Sequence, residues 1–192
     1  SLKDYIIDAR KVKFIKVADA LIYPDSGLVT IERKAKMKTL TNASIIANAI
    51  TKFHRIDSST VNIFARRDYV GTGFYAFIDQ SGNNQLIRFN SVSVDSSYQT
   101  YADGNISENR DFTLSPYFDF KGSVHLDASS KDLTFKGYSR INHSCDASLP
   151  ISWFQFKSSL DPEEIYIPID NVMLDEEENR LTSSIVLDKD TG

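Results

Sequence analysis

The sequence has few of the residues that build disulfide, metal or membrane-spanning structures. Its 192 residues include one cysteine, three histidines, eight glycines and five prolines. A single cysteine excludes a disulfide scaffold and a zinc site made of cysteines alone. No hydrophobic run approaches the roughly 20 residues that a membrane-spanning helix needs, and the first residues show no signal-peptide pattern. We therefore expect no membrane span, no metal site and no cofactor.

The charge balance is mildly acidic. Lysine and arginine number 22 against 26 aspartates and glutamates, a formal net charge of −4. Proteins that bind nucleic acid by neutralising phosphates are usually basic, so we expect no nucleic-acid partner. Hydrophobic residues make up 41% of the chain and aromatic residues 11%, which is typical of a folded chain with a core.

Alternation of apolar and polar residues, interrupted by turn residues, dominates the chain and is typical of half-buried strands. We predict an all-β protein, either an antiparallel β-sandwich or a curved, jellyroll-like or stacked sheet, with at most one or two short helices. Three hairpins are predicted, over residues 20–31, 74–89 and 172–187. The first has Pro24-Asp25-Ser26-Gly27 as its turn.

Two further segments allow two interpretations each. Residues 41–54 fit a helix capped at Thr41 or Asn42, because apolar residues share a helical face. They fit a strand or an irregular edge equally well, because residues 43–49 alternate. Residues 118–132 are repeated in residues 133–147, with Phe-Lys-Gly in both copies. The repeat indicates either a stacked, curved sheet or two similar successive strands, with each aromatic facing the core and a bend at each glycine.

No motif of a known catalytic type is present, and we predict that the chain is not an enzyme. His143 and Cys145 lie two residues apart, but no third residue completes a catalytic or metal site around them. The acidic runs at 161–164 and 175–178 lack the spacing of a calcium loop, and we interpret them as solvated turns.

The candidate binding residues are aromatic. In adjacent pairs such as Phe74-Tyr75 and Trp153-Phe154, successive side chains of a strand point to opposite faces, so one ring of each pair points outward. That ring is either covered by a second layer or exposed, and an exposed row of rings can stack on sugars or bind a partner strand. We select Tyr75, Trp153 and Phe154 as the candidate binding surface.

Three segments carry a family resemblance, at residues 18–31, 101–106 and 118–124. They resemble strand segments of large uncharacterised bacterial envelope proteins, and they are similar to the β-jellyroll modules of lipopolysaccharide-transport proteins. The resemblance implies a modular β-protein located in the periplasm or on the cell surface. It transfers no catalytic residue to this chain.

These observations lead to one expectation and two alternatives for function. We expect a single β-rich domain over residues 1–192, taken from a longer protein because the chain stops directly after a strand pattern. It would act as a non-catalytic structural or interaction module whose partners are neighbouring domains of the same chain or another protein. The alternatives are a carbohydrate-binding β-sandwich, with a glycan as ligand, and a lipid-binding β-groove.

Overall fold

The computed structural model describes residues 6–33, 36–79, 82–115, 118–141, 153–160, 166–174 and 180–186. The regular secondary structure of the described residues is almost entirely β-strand, and every strand pair among them is antiparallel. The all-β prediction is confirmed. The strands of the described residues are β1 Ile7–Ala9, β2 Ile15–Val17, β3 Ala20–Tyr23, β4 Val29–Glu32, β5 Lys36–Met37, β6 Leu40–Ala47, β7 His54–Ala65, β8 Asp68–Ile78, β9 Asn84–Val94, β10 Thr100–Ile106, β11 Thr113–Ser115, β12 Phe118–Asp127, β13 Leu133–Ile141, β14 Phe154–Leu160, β15 Tyr166–Leu174 and β16 Arg180–Val186.

One large sheet holds most of these strands. Its eleven strands run in the order β14-β13-β12-β10-β9-β8-β7-β6-β3-β2, with β11 paired to β12. A three-stranded sheet has the order β1-β4-β5, and β15 and β16 form a separate hairpin. From β6 to β10 each strand pairs with the next along the chain, which is why long strands alternate with short turns.

The large sheet curves so that its inner face encloses a core. Phe77 of β8 has its ring centre 5.4 Å from that of Phe112 and 5.7 Å from that of Phe135 in β13, four strand positions away. Thr51 in the turn after β6 donates a hydrogen bond to the carbonyl oxygen of Ala128 in the turn after β12. Register shifts in β6, β7, β8 and β10 supply local bends of the kind that β-bulges introduce.

Alternation along the strands decides which side chains reach this core. In β8, Tyr69 and Phe77 are buried on the inner face, whereas Val70 and Ile78 point outward and are exposed. Burying a large apolar side chain contributes about 1.5–3 kcal/mol to folding, so the inner face supplies much of the stability. The largest fully buried side chains include Tyr69, Phe89, Phe118, Phe120 and Phe135.

The hairpin predicted over residues 20–31 was wrong in its pairing. The turn itself forms, because the Gly27 N–H donates to the Pro24 carbonyl oxygen at 3.3 Å and Gly27 has a φ of +67°. However, β3 pairs with β2 and β6, and β4 pairs with β1 and β5. Three of the four β3 residues are buried. A strand with so many buried residues is stabilised more by pairing with two neighbouring strands than by pairing with one strand in a local hairpin.

The other two hairpins are confirmed. Phe74 lies opposite Arg88 in the pairing of β8 with β9, and the Asp79 carboxylate accepts hydrogen bonds from Asn83 in the turn. In the last hairpin Met173 lies opposite Leu181. Most of its turn, at residues 175–179, falls outside the described residues.

Residues 41–54 form a strand followed by a turn, and the helical interpretation was wrong. Strand β6 continues to Ala47, and Asn48 then takes a positive φ of 59°. The Asn48 side-chain oxygen accepts hydrogen bonds from the backbone N–H groups of Ile50 and Thr51. Asparagine tolerates this left-handed conformation, and its side chain stabilises the turn where a helix would have continued.

The repeat corresponds to two successive strands of one antiparallel sheet. β12 pairs with β13 along nine residue pairs, with Phe120 opposite Ser139 and Phe135 opposite Val124. Both phenylalanines are buried, as the pattern predicts, and their ring centres lie 5.2 Å apart in an edge-to-face arrangement. The two copies are therefore similar successive strands, and they belong to a sheet that curves.

Candidate functional site

Tyr75 is on the inner face of β8 and packs against the core. Its ring centre lies 6.1 Å from that of Phe89 and 5.7 Å from that of His54. Burial raises the pKa of its hydroxyl group. Its neighbour Phe74 is half-buried and points to the opposite face, as expected for adjacent residues of a strand. The structure does not bring Tyr75 to the surface where Trp153 lies.

Trp153 lies directly before β14, on the outer side of the large sheet, and is half-buried. The Lys121 Nζ is 4.2 Å from the centre of its ring, and the Arg140 guanidinium carbon is 4.7 Å from it. Cations over an indole ring are attracted by its negative face, by about 0.5–1 kcal/mol at exposed sites. Phe154 begins β14, and its side chain lies outside the described part of the structure.

Strand register explains why cations surround Trp153. Lys121 of β12 lies opposite Tyr138 of β13, which lies opposite Gln155 of β14. Because successive residues of a strand alternate between faces, residues two positions apart join the same outer surface. We call this surface the basic face, and its members are Lys121, Lys136, Tyr138, Arg140, Trp153 and Lys157.

Two cations of the basic face have carboxylate partners. The Lys121 Nζ lies 2.9 Å from the Glu108 carboxylate, and the Arg140 Nε lies 2.7 Å from that of Asp119, which is largely buried. The hydrogen bond from Lys121 is the main reason that the pKa of Glu108 is lowered. These pairs fix the two cations over Trp153 and largely neutralise them.

The other two cations face each other without such partners. Lys136 of β13 lies directly opposite Lys157 of β14, and both side chains are exposed. Within the described residues neither has a carboxylate in ion-pair contact. Like charges placed directly across a strand pair are destabilising. Among the residues that the structure describes, the positive charge of this pair therefore has no acidic partner.

Polar and aromatic side chains continue the same outer surface toward β10. In the row that contains the two lysines, Ser123 lies opposite Lys136, and Asn105 lies opposite Ser123. One row further along β12, the His125 Nδ1 is 2.8 Å from the Asp103 carboxylate, and the ring of His125 stacks on Tyr101. The surface thus offers hydrogen-bonding groups next to the uncompensated lysines.

A second feature is a groove of about 510 Å³ between β2, β5 and the end of β7. Apolar side chains form much of its lining, among them Ile15, Met37 and Phe64. Lys16 and Arg66 also contribute to it. The groove lies against the edge of the core, since the buried Val17 also lines it, and it is partly open to solvent beside the small sheet.

The described residues contain no group of three histidine, cysteine or acidic side chains arranged to hold a metal ion. His143 and Cys145 lie outside the described residues, as do the acidic runs at 161–164 and 175–178. Among the elements that the structure describes, no helix is long and apolar enough to cross a membrane. No family model, curated protein or solved structure matches this chain.

Sequence reasoning selected Trp153 but missed the lysines around it. One signal was present, because both copies of the Phe-Lys-Gly repeat place a lysine directly after an inward phenylalanine, and hence on the outer face. The alignment of Lys136 with Lys157 depends on the register of β13 against β14, which the pattern of either strand alone does not contain.

Proposed function

We propose that this chain is a non-catalytic interaction module of a larger envelope or surface protein and that its basic face binds a carbohydrate polymer. The supporting observation is the register of β12, β13 and β14, which aligns cations, an exposed tyrosine and amide and hydroxyl groups on one open face. The resemblance to envelope proteins fits a periplasmic or cell-surface location.

The chemistry of the face favours sugars over a purely apolar partner. Tyr138 is 45% exposed and presents an apolar ring with a polar hydroxyl group. Asn105, Ser123 and Gln155 provide donors and acceptors that match sugar hydroxyl groups. Trp153 acts mainly as a support, because its ring already has Lys121 and Arg140 beside it. In this proposal Trp153, which the sequence predicted as a binding residue, contributes to binding by holding the cations in position.

Affinity gel electrophoresis tests this proposal directly. The protein is run through gels that contain xylan, galactomannan, dextran, polygalacturonate or heparin, and its retardation is measured against a gel without polysaccharide. We expect retardation by at least one polymer, and Tyr138→Ala should weaken it several-fold. Tyr98→Ala is a matched control, because Tyr98 is 47% exposed and also lies beside a cation, Arg67. Tyr98 belongs to the turn between β9 and β10 and is not part of the basic face. Absence of retardation in every gel would contradict carbohydrate binding.

The groove at β2 supports a second candidate, a site for a lipid-like anion. Its apolar lining suits an acyl chain, and Lys16 or Arg66 suits a carboxylate or phosphate at the end of that chain. Titration with a fluorescent fatty acid tests it, and we expect saturable binding that Phe64→Ser weakens. Tyr98→Ala again serves as the control, and binding that Phe64→Ser leaves unchanged would rule out this groove.

A further inference from the structure

We infer that the polymer bound by the basic face is an acidic polysaccharide, whose carboxylate or sulfate group sits between Lys136 and Lys157. This inference rests on the proposed function and adds the chemical class of the ligand. It is drawn from the charge arrangement of the face.

On the outer surface that includes the basic face, two of the described cross-strand pairs of charged residues combine an acid with a base, and one does not. Asp119 lies opposite Arg140, and Asp103 lies opposite His125, so each of these positions combines an acid with a base. Lys136 and Lys157 form the pair that does not, because two ammonium groups extend from directly opposed residues. Side chains in such a pair start about 4.5–5.5 Å apart, within the distance at which one anionic group contacts both.

The immediate surroundings favour an anion at this position. A bound carboxylate or sulfate would replace the repulsion between the two lysines by two charge-assisted hydrogen bonds. The local carboxylates of the face, Glu108 and Asp119, are already occupied by Lys121 and Arg140. Within the described residues, an external anion is therefore what would compensate the lysine pair.

The row that contains the pair favours a sugar polymer as the carrier of this anion. Asn105, Ser123, Lys136 and Lys157 lie in register on four neighbouring strands. Neighbouring strands are about 4.8 Å apart, so the row extends over about 14 Å. The acidic group would bind at the lysine end, while the hydroxyl groups of adjoining sugars meet Ser123 and Asn105. The Ser123 hydroxyl donates to the Lys136 carbonyl oxygen, which leaves its oxygen free to accept.

The net charge of −4 repels any polyanion at long range, so binding of an acidic polymer depends on the local contact with the lysine pair. Tyr138 lies beside the lysine row and adds an exposed ring on which a sugar ring can stack. This stacking favours an acidic sugar over an acidic peptide.

Two polymers test the inference, and each is compared in a charged and a neutral form. Polygalacturonate is compared with fully methyl-esterified polygalacturonate, and heparin is compared with heparin that has been desulfated, N-acetylated and carboxyl-reduced. Retardation is measured at low salt and again at 0.3 M sodium chloride. We expect the wild type to bind one or both charged forms at least ten-fold more tightly than the matching neutral form, and salt should weaken that binding. Binding of polygalacturonate, whose only charged groups are carboxylates, would show that a carboxylate ligand suffices.

The variants assign the effect to the lysine pair. Lys136→Gln combined with Lys157→Gln should lower affinity for the charged polymer at least ten-fold. The control combines Lys13→Gln with Lys38→Gln, which removes the same charge from two exposed lysines outside the basic face, and it should bind as the wild type does. Thermal unfolding of both double variants checks that they are folded.

The outcomes separate the inference from the function on which it rests. Equal binding of charged and neutral polymers, or full binding by the Lys136 and Lys157 variant, would overturn the acidic ligand while leaving carbohydrate binding in place. Equally tight binding of poly-glutamate or single-stranded DNA would show that any polyanion suffices and would overturn the assignment to a polysaccharide. No binding of any polysaccharide would reject the proposed function itself.

Discussion

Gly122 and Gly137 lie directly opposite each other in β12 and β13, and neither position has room for a side chain. A Cβ atom on Gly122 would overlap the Lys136 carbonyl oxygen, and one on Gly137 would overlap that of Lys121. Gly122 also has a φ of +142°, a conformation that other residues rarely adopt. The close approach of the strands at this point sets the position of Lys121 and Lys136, which directly precede Gly122 and Gly137.

The first prediction is that Gly137→Ala and Gly122→Ala destabilise the fold. Overlap with backbone atoms forces the strands apart, and we expect each change to lower the free energy of unfolding by about 1–3 kcal/mol. Denaturant unfolding measures this loss. Gly82→Ala is the control for Gly122→Ala, because both glycines have a positive φ but the space around the Gly82 Cβ position is open. If Gly82→Ala costs as much as Gly122→Ala, then steric overlap is not the cause.

A second relationship joins parts of the chain that are distant in sequence. The Asp19 carboxylate in the turn between β2 and β3 accepts hydrogen bonds from the Thr100 hydroxyl at 2.6 Å and from the Thr100 backbone N–H at 3.0 Å. Because the Thr100 hydroxyl hydrogen points to Asp19, the hydroxyl of the buried Tyr69 must donate to Thr100, at 2.8 Å. Burial raises the pKa of Tyr69, which therefore stays protonated and able to donate.

The second prediction is that Asp19→Ala destabilises the protein more than Tyr69→Phe. Loss of Asp19 leaves two donors of Thr100 without their acceptor, at a cost of about 1–3 kcal/mol, whereas loss of one hydroxyl costs about 1 kcal/mol. Thermal or denaturant unfolding checks the order. Asp8→Ala is the matched control, because Asp8 accepts a similar hydrogen bond from Thr30 on an exposed surface. A loss of stability in Asp8→Ala equal to that in Asp19→Ala would show that burial does not increase the contribution of these hydrogen bonds to stability.

The class of fold could be predicted from sequence because alternation is a local property. The buried positions of Tyr69 and Phe135 and the β8–β9 hairpin follow from residues that are neighbours in the chain. Partners of β3 and β4 could not be predicted, because the turn at Gly27 is compatible both with a hairpin and with two strands that separate into different sheets. What decides between them is burial against β6, a contact with residues about 25 positions further along the chain.

The binding face was predictable only in part for the same reason. Trp153 was identified from its own residue type, but its surroundings depend on three strands lying in register. β10 pairs with β12 and not with β11, which the sequence pattern does not indicate. The row from Asn105 to Lys157 exists because of that pairing, so a strand-by-strand interpretation could not find it.

The third prediction concerns the stability of the lysine pair. Lys157→Glu converts two like charges opposite each other into an ion pair, and we expect the free energy of unfolding to rise by about 0.2–1 kcal/mol at low salt. The gain should shrink as salt is added, because both side chains are exposed. Lys13→Glu, which makes the same charge change away from the face, should give no comparable gain. A destabilised Lys157→Glu would mean that the two lysines do not repel each other in the folded protein.

His54 links the start of β7 to the turn between β12 and β13. It is 1% exposed, and its Nε2 lies 2.7 Å from the Ser130 carbonyl oxygen, so that nitrogen carries a hydrogen. The Nδ1 lies 3.4 Å from the hydroxyl group of Tyr75, from which it can accept. Burial lowers the pKa of His54 below its usual 6.5, although the hydrogen bond to Ser130 and the charges of Asp127 and Asp132 oppose the shift.

The fourth prediction is that acid destabilises the fold through His54. Because the folded pKa lies below the unfolded one, the unfolded chain takes up a proton first as the pH falls through about 6.5. The free energy of unfolding should therefore be highest above this pH, and should decrease until the pH passes the folded pKa. Denaturant unfolding between pH 8 and pH 5 measures the slope, which His54→Gln should reduce. His125→Gln removes a half-exposed histidine as the control, and an equal reduction in both variants would show that burial of His54 is not the cause.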